Sequence, residues 1–233
     1  MVTLTKPHYG GRIDIRDAND PRTRIVNLIP EGSQVLEVGC GSGSIASYLL
    51  HTKKCLVIAI EPDPVMAAEA HSSGVEVFQG QIEDPDIQQK IAGRAPFDVV
   101  IFADVLEHLR DPWTVLKQVH LWISENGRLL ASIPNVAHWS IRLSLLFGKW
   151  EYTEGYLMDR THLRWFTRRS LLQLFEESGY QVTEFQVRWA PFPGDRLWRR
   201  LIPGRARLYA FLANRWPGFF GYQFIVGAEL SRV

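Results

Sequence analysis

The run Glu37-Val38-Gly39-Cys40-Gly41-Ser42-Gly43 sets a glycine cluster behind a carboxylate at the end of an apolar segment. Glycines there let the backbone come close to a ligand and aim the amides of a following helix at it. The dinucleotide pattern GxGxxG needs glycine where Ser44 stands, and a phosphate-cradling loop needs a Lys-Ser/Thr pair that is missing. Glu37, just ahead of the turn, repels a pyrophosphate and suits a ligand bearing an ammonium or a sulfonium. Glu61 stands 20 residues beyond Gly41 at the end of the next apolar run, where a carboxylate accepts from both hydroxyls of a ribose. The pair points to an adenosine-type ligand without phosphates.

These residues need a scaffold, and the pattern around them supplies one. QVLEV, CLVIAI, VEVF, FDVVIFAD and RLLASIP read as strands, and helical segments separate them. DPWTVLKQVHLWI reads as a helix opened by Asp111 and Pro112, and TRRSLLQLFEESGY as one capped by Thr167 and ended by Gly179. YQVTEFQVRW and GYQFIVGAEL are two further strands. Strands alternating with helices imply an open α/β sandwich, a parallel sheet covered on both faces. In such sheets ligands lie beyond the strand carboxyl ends where strand order reverses, so the positions after Val38, Ile60, Phe78, Phe102 and Ile133 hold the chemistry. The expected organisation is one domain over 1–233 with cap insertions at about 135–166 and 191–218, the first helical from Trp139 to Phe147.

The chain resembles the class I S-adenosylmethionine-dependent methyltransferases, and the resemblance implies their Rossmann-like fold, an α/β three-layer sandwich with a seven-stranded, mostly parallel sheet whose last strand is antiparallel. VLEVGCGSG, IAIEPDP, GQIED, FDVVIFADVLEHLRDP and GRLLASIPN follow that family's motifs in order and spacing over roughly residues 20–190. NDPRTRIVNLIPEG and DRTHLRWFTRRSLLQLFEESGY further resemble small-molecule enzymes of bacterial polysaccharide clusters and their relatives, the quinone O-methyltransferases. The resemblance implies S-adenosyl-L-methionine as cofactor. Gly39, Cys40, Gly41 and Gly43 then line its methionine part, with Glu37 supporting the ammonium. Glu61 holds the ribose, and Pro62 packs near the adenine. Gln81, Ile82 and Glu83 fall where the family contacts the base, although Gln81 replaces a frequent Asp. Ala103 and Asp104 lie beneath the methionine arm, and Tyr9 is a candidate to fold over the cofactor. Pro62 and Asp104 equally suit plain helix-starting roles.

Methyl transfer is an in-line displacement at an activated carbon, so alignment dominates. A hydroxyl acceptor must also lose a proton, which a placed base accelerates by about 10²–10⁴-fold. The candidates are His138, which follows the fifth strand, His108 in LEHL, and Asp159 with His162 in DRTHLRWF, which form either an orienting hydrogen-bonded pair across one helical turn or bonds to Arg160, Arg164 or backbone. No metal site is expected, since Cys40 and Cys55 have no companion spacing.

Residues 1–130 carry 12 Lys and Arg against 17 Asp and Glu, and residues 131–233 carry 14 against 8. Segment 194–218 holds Arg196, Arg199, Arg200, Arg205, Arg207 and Arg215 among aromatic and aliphatic residues. That mixture suits either a peripheral membrane contact or a lid over an anionic or amphiphilic small-molecule acceptor. Nucleic acid is not expected: the overall charge is +1 and no recognised module is present. No long uncharged apolar run and no signal-peptide pattern appears, so the expected location is cytoplasmic. The expected activity is O-methylation of a sugar, glycan intermediate or quinone-like phenol. The alternatives are a NAD-type oxidoreductase and a non-catalytic binding module of the same fold.

Overall fold

The computed structural model describes residues 11, 13–192 and 204–231. Helix α1 (Pro21–Asn27) starts where Asp20 accepts from the Arg22 amide and Pro21 presets the first helical φ. The same device opens α3 (Pro64–Ser72) behind Asp63 and α5 (Pro112–Val119) behind Asp111. Thr167 and Ser170 form a reciprocal capping box at the start of α7 (Arg168–Glu177). Helices α2 (Ser44–His51) and α4 (Pro85–Ala92) complete the crossovers.

Seven strands form one sheet: β1 (Gln34–Val38), β2 (Leu56–Glu61), β3 (Glu76–Gln79), β4 (Phe97–Ala103), β5 (Ile123–Pro134), β6 (Tyr180–Trp189) and β7 (Gly221–Leu230). Their order is β3-β2-β1-β4-β5-β7-β6. The first five pair in parallel, and β7 runs antiparallel between β5 and β6. Strand period divides the core in two: Leu36 and Phe102 face one side with Phe175 and Phe224, while Val35 and Ile101 face the other with Ile25 and Leu49. Strand order reverses between β1 and β4, so the carboxyl ends of β2, β1, β4 and β5 border one crevice.

Two boundaries differ from the sequence reading. Helix α5 stops at Val119 rather than running to Ile123, and β5 begins at Ile123 rather than at Arg128. The apolar run Leu121-Trp122-Ile123 fits either period, and pairing decides it: Ile123 lies opposite Phe97, whose amide donates to the Trp122 carbonyl at 2.7 Å.

The insertion after β5 is only partly helical. It holds α6 (Trp139–Leu146), a single 3₁₀ turn over Tyr156–Met158, and irregular chain between. Asn135, fully buried, anchors its start by donating to the Gly221 carbonyl at 2.7 Å and accepting from the Ala137 amide at 3.0 Å. Of segment 191–218, residues 193–203 lie outside the described residues. The remainder forms α8 (Arg205–Arg215) and the start of α9 (Pro217–Phe220). No described helix is long and apolar enough to cross a membrane.

Candidate active site

The glycine turn after β1 is tied to the end of β2. The Gly39 and Cys40 amides both donate to the Ile60 carbonyl, at 2.8 and 3.1 Å. Gly39 and Gly43 hold φ of +70° and +82°, and a Cβ on either would sit within 3 Å of Val105 or Ala70. The tight path is therefore set by glycine itself. Glu61, 6% exposed, accepts from the Gly41 amide at 2.7 Å through one carboxylate oxygen and from the Asp63 amide at 2.9 Å through the other. Each oxygen keeps a second lone pair for a ligand hydroxyl.

Glu37 is 2% exposed, and its Oε2 has no hydrogen-bond partner. Burial pushes its carboxyl up to about 8; a hydrogen bond from the Ala46 amide pulls against this, and the Glu61 charge adds to it. Two buried carboxylates facing one glycine turn suit a cationic nucleoside and disfavour a pyrophosphate. S-adenosyl-L-methionine, with its ammonium, sulfonium and ribose, fits this donor set.

The remaining cofactor candidates divide by exposure. Gln81 and Glu83 are exposed at the β3 end, and the Gln81 amide donates to Asp84 at 2.8 Å. The Ile82 side chain is buried, so only its backbone can meet a base. Pro62 is exposed between β2 and the Asp63 cap and does not itself start α3, which opens on Pro64. The Cys40 thiol is buried in the core, and burial raises its pKa, which leaves it a packing role. Ala103 ends β4, and Asp104 follows it at φ +56°. Asp104 accepts from Ser132 Oγ at 2.9 Å and from Gln223 Nε2, while burial lifts its carboxyl to about 6 against those two bonds. Ser132 and Gln223, from β5 and β7, were not foreseen from sequence, because only sheet pairing brings them to Asp104. Tyr9 lies outside the described residues.

His138 is the N-cap of α6, 4% exposed, with Nδ1 at 2.8 Å from Ser140 Oγ and Nε2 without a partner. Burial lowers its pKa to about 4, so the ring is neutral at pH 7. Its edge meets Tyr222 and its other neighbour is Trp139. Of the two alternatives for Asp159, the hydrogen bond to His162 is not formed and the backbone bond is. Asp159 Oδ1 accepts instead from the Thr161 amide and hydroxyl, at 2.8 and 2.6 Å, because a carboxylate reaches the groups two residues on before those of the next turn. His162 packs edge-on against His108, ring centroids 4.8 Å apart.

Comparison with known proteins agrees with this geometry. A ubiquinone biosynthesis O-methyltransferase from Nitrobacter winogradskyi is 27% identical over 195 residues, covering 78% of this chain and 70% of that one. The corresponding protein of Azotobacter vinelandii is 35% identical over 119 residues, 47% of this chain and 50% of its own. The chain thus spans from half to 70% of these relatives. Among solved structures, S-adenosylmethionine-dependent methyltransferases from Mesorhizobium loti and Archaeoglobus fulgidus share the fold. The first has a TM-score of 0.58 at 14% identity, covering 92% of this chain and 99% of that chain. The second has a TM-score of 0.57 at 16% identity, covering 89% and 91%.

Fold and site together define a class I S-adenosylmethionine-dependent methyltransferase, with S-adenosyl-L-methionine as cofactor. The chain belongs to the methyltransferase-domain family, whose model matches residues 11–184.

Proposed function

We propose that this enzyme methylates a hydroxyl of an amphiphilic small molecule, a quinone-like phenol with an apolar tail, in the cytoplasm. The observation that carries the reading is His138 Nε2, buried and unpartnered after the β5 end, at the start of a helix that carries exposed apolar side chains. Leu143, Leu145 and Leu146 stand out from α6, Phe147 from its C-cap, and Phe211, Trp216 and Phe219 from the α8–α9 segment. Arg142 lies over the Phe219 ring at 5.4 Å and joins the two parts. A sugar has no use for such a rim. The rim also suits contact with a membrane surface from which an apolar acceptor is drawn.

When bound, the cofactor supplies a methyl group made electrophilic by its sulfonium. Glu61 would hold the ribose hydroxyls and Glu37 the ammonium, with the glycine turn lining the methionine part. His138, in the tautomer whose Nδ1–H donates to Ser140 Oγ, would present the Nε2 lone pair to the acceptor hydroxyl and take its proton, giving up the 3.4 Å contact from the Ser140 amide. Asp104, held by Ser132 and Gln223, keeps the floor of the crevice polar.

Transfer from tritium-labelled cofactor to three acceptors tests this: a catechol with a short isoprenoid tail, the same catechol without it, and a nucleotide sugar. The tailed phenol is expected to accept fastest. His138→Gln is expected to slow that turnover at least 10-fold while leaving S-adenosylhomocysteine affinity unchanged. Preference for the nucleotide sugar, or full turnover in the variant, would overturn the reading.

A further inference from the structure

The far side of the crevice holds a charge that the transfer reaction above leaves unused. Arg188 stands near the end of β6, in register with Gln223 on β7. Its side chain is half-buried, and its Nε is buried without a hydrogen-bond partner. Nη1 donates to Gln223 Oε1 only at 3.4 Å. Among the described residues no Asp or Glu forms an ion pair with it. A guanidinium drawn out of water without a counter-charge is costly, and the cost is recovered when an anion meets it.

The acids at this end of the sheet are held elsewhere. Asn19 exchanges hydrogen bonds with the Trp189 main chain at 2.9 and 3.2 Å, which sets Asp20 beside β6, yet Asp20 pairs with Arg22 at 2.7 Å. Asp104 accepts from Ser132 Oγ and from Gln223 Nε2. Gln223, itself buried, thus turns its oxygen to the cation and its amide N–H to the acid. It holds the two charges apart instead of letting them neutralise each other.

Tyr222 relates this cation to the transfer chemistry. The guanidinium carbon lies over the Tyr222 ring, 5.4 Å from its centroid, and the His138 ring meets the same ring edge-on, also at 5.4 Å. A proton acceptor and a cation therefore flank a single aromatic ring. An acceptor molecule built on one ring reaches both, its hydroxyl at His138 and an anionic group at Arg188. The cofactor's own carboxylate is the wrong partner for Arg188. Strand β6 lies four places from β1 in the sheet, about 19 Å at about 4.8 Å per strand, whereas the glycine turn that lines the methionine part follows β1.

We propose that Arg188 is a specificity residue that receives a carboxylate on the acceptor, carried across the ring from the hydroxyl that is methylated. The assignment rests on the hydroxyl-acceptor reading above and narrows it: the phenol is also an acid. The planar guanidinium matches a planar carboxylate through two parallel hydrogen bonds. A carboxylate is favoured over a phosphate because Asp104 and Asp20 stand on the same side, and a doubly charged group meets more of their repulsion.

Transfer from labelled cofactor to three acceptors tests this: 4-hydroxybenzoate bearing a short isoprenoid tail, its carboxamide, and the tailed phenol lacking either group. The acid is expected to show a KM about 10-fold or more below that of the carboxamide at similar kcat. In Arg188→Gln that preference is expected to shrink to about 2-fold or less, with Arg188→Lys between the two. Damage to the fold lowers both acceptors alike and leaves their ratio intact. Equal use of acid and carboxamide by the wild type, or an unaltered preference in Arg188→Gln, would overturn the assignment. So would loss of S-adenosylhomocysteine affinity in that variant, which gives the guanidinium to the cofactor. Calorimetric titration of the acid into the S-adenosylhomocysteine complex separates the two readings. Arg188-dependent binding without transfer sinks the hydroxyl-acceptor reading and keeps the carboxylate site, whereas transfer to the phenol with no advantage for the acid does the reverse.

Discussion

Glu37 shows how one side chain couples ligand binding to a proton. Its carboxyl is raised to about 8 by burial, so much of it is protonated at pH 7, and an arriving ammonium favours the ionised form. Cofactor binding is therefore expected to release protons near neutral pH and to tighten as pH rises toward 8. Calorimetry in buffers of differing ionisation enthalpy reads this directly, and Glu37→Gln is expected to abolish the buffer dependence. Glu61 has a double duty toward ligand and loop. Glu61→Gln is expected to weaken S-adenosylhomocysteine binding about 10- to 100-fold through lost charge-assisted hydrogen bonds, measured by equilibrium titration. Both acids were legible in the sequence, because a carboxylate at a strand end beside glycine is a local signal. For Asp159 the helical-spacing alternative, a pair with His162, fails because the chain there is irregular, and the backbone alternative holds through the Thr161 amide.

At the level of elements, the glycine turn and the caps set geometry by steric and hydrogen-bond rules that can be broken singly. Gly39→Ala forces a Cβ to 2.6 Å from Val105 Cγ2 at positive φ. It is expected to destabilise the fold by about 1–3 kcal/mol and to lose most cofactor affinity, seen in denaturant titration and binding together. Thr167→Ala removes the α7 cap far from the glycine turn. It is expected to cost about 0.5–2 kcal/mol and to leave cofactor affinity unchanged. The strands of the parallel core were legible from their apolar runs, and Asp-Pro pairs marked helix starts. The end of α5 was not, because Leu121-Trp122-Ile123 satisfies both helix and strand periods until β4 offers it a partner.

For the whole molecule, the buried Glu37 carboxyl ties global stability to pH. Its pKa in the folded chain lies above the ordinary value of 4.5, so the folded state holds the extra proton between 4.5 and about 8. The associated stability is present at low pH and is lost as pH rises through about 8. Thermal unfolding of the cofactor-free chain is expected to show Tm falling from pH 6.5 to 8, with the fall reduced in Glu37→Gln. Saturating S-adenosylhomocysteine, which carries the same ammonium, is expected to raise Tm more at pH 8 than at pH 6.5.

The antiparallel wedge of β7 between β5 and β6 has a consequence for how the chain matures on the ribosome. Strand β6 emerges earlier than its sole sheet neighbour, and β5 waits with one edge bare, so neither can dock until residues 221–230 arrive. Nascent chains stalled before that stretch are expected to expose two unpaired strands at once, and chaperone capture should peak there and end when the wedge slides home.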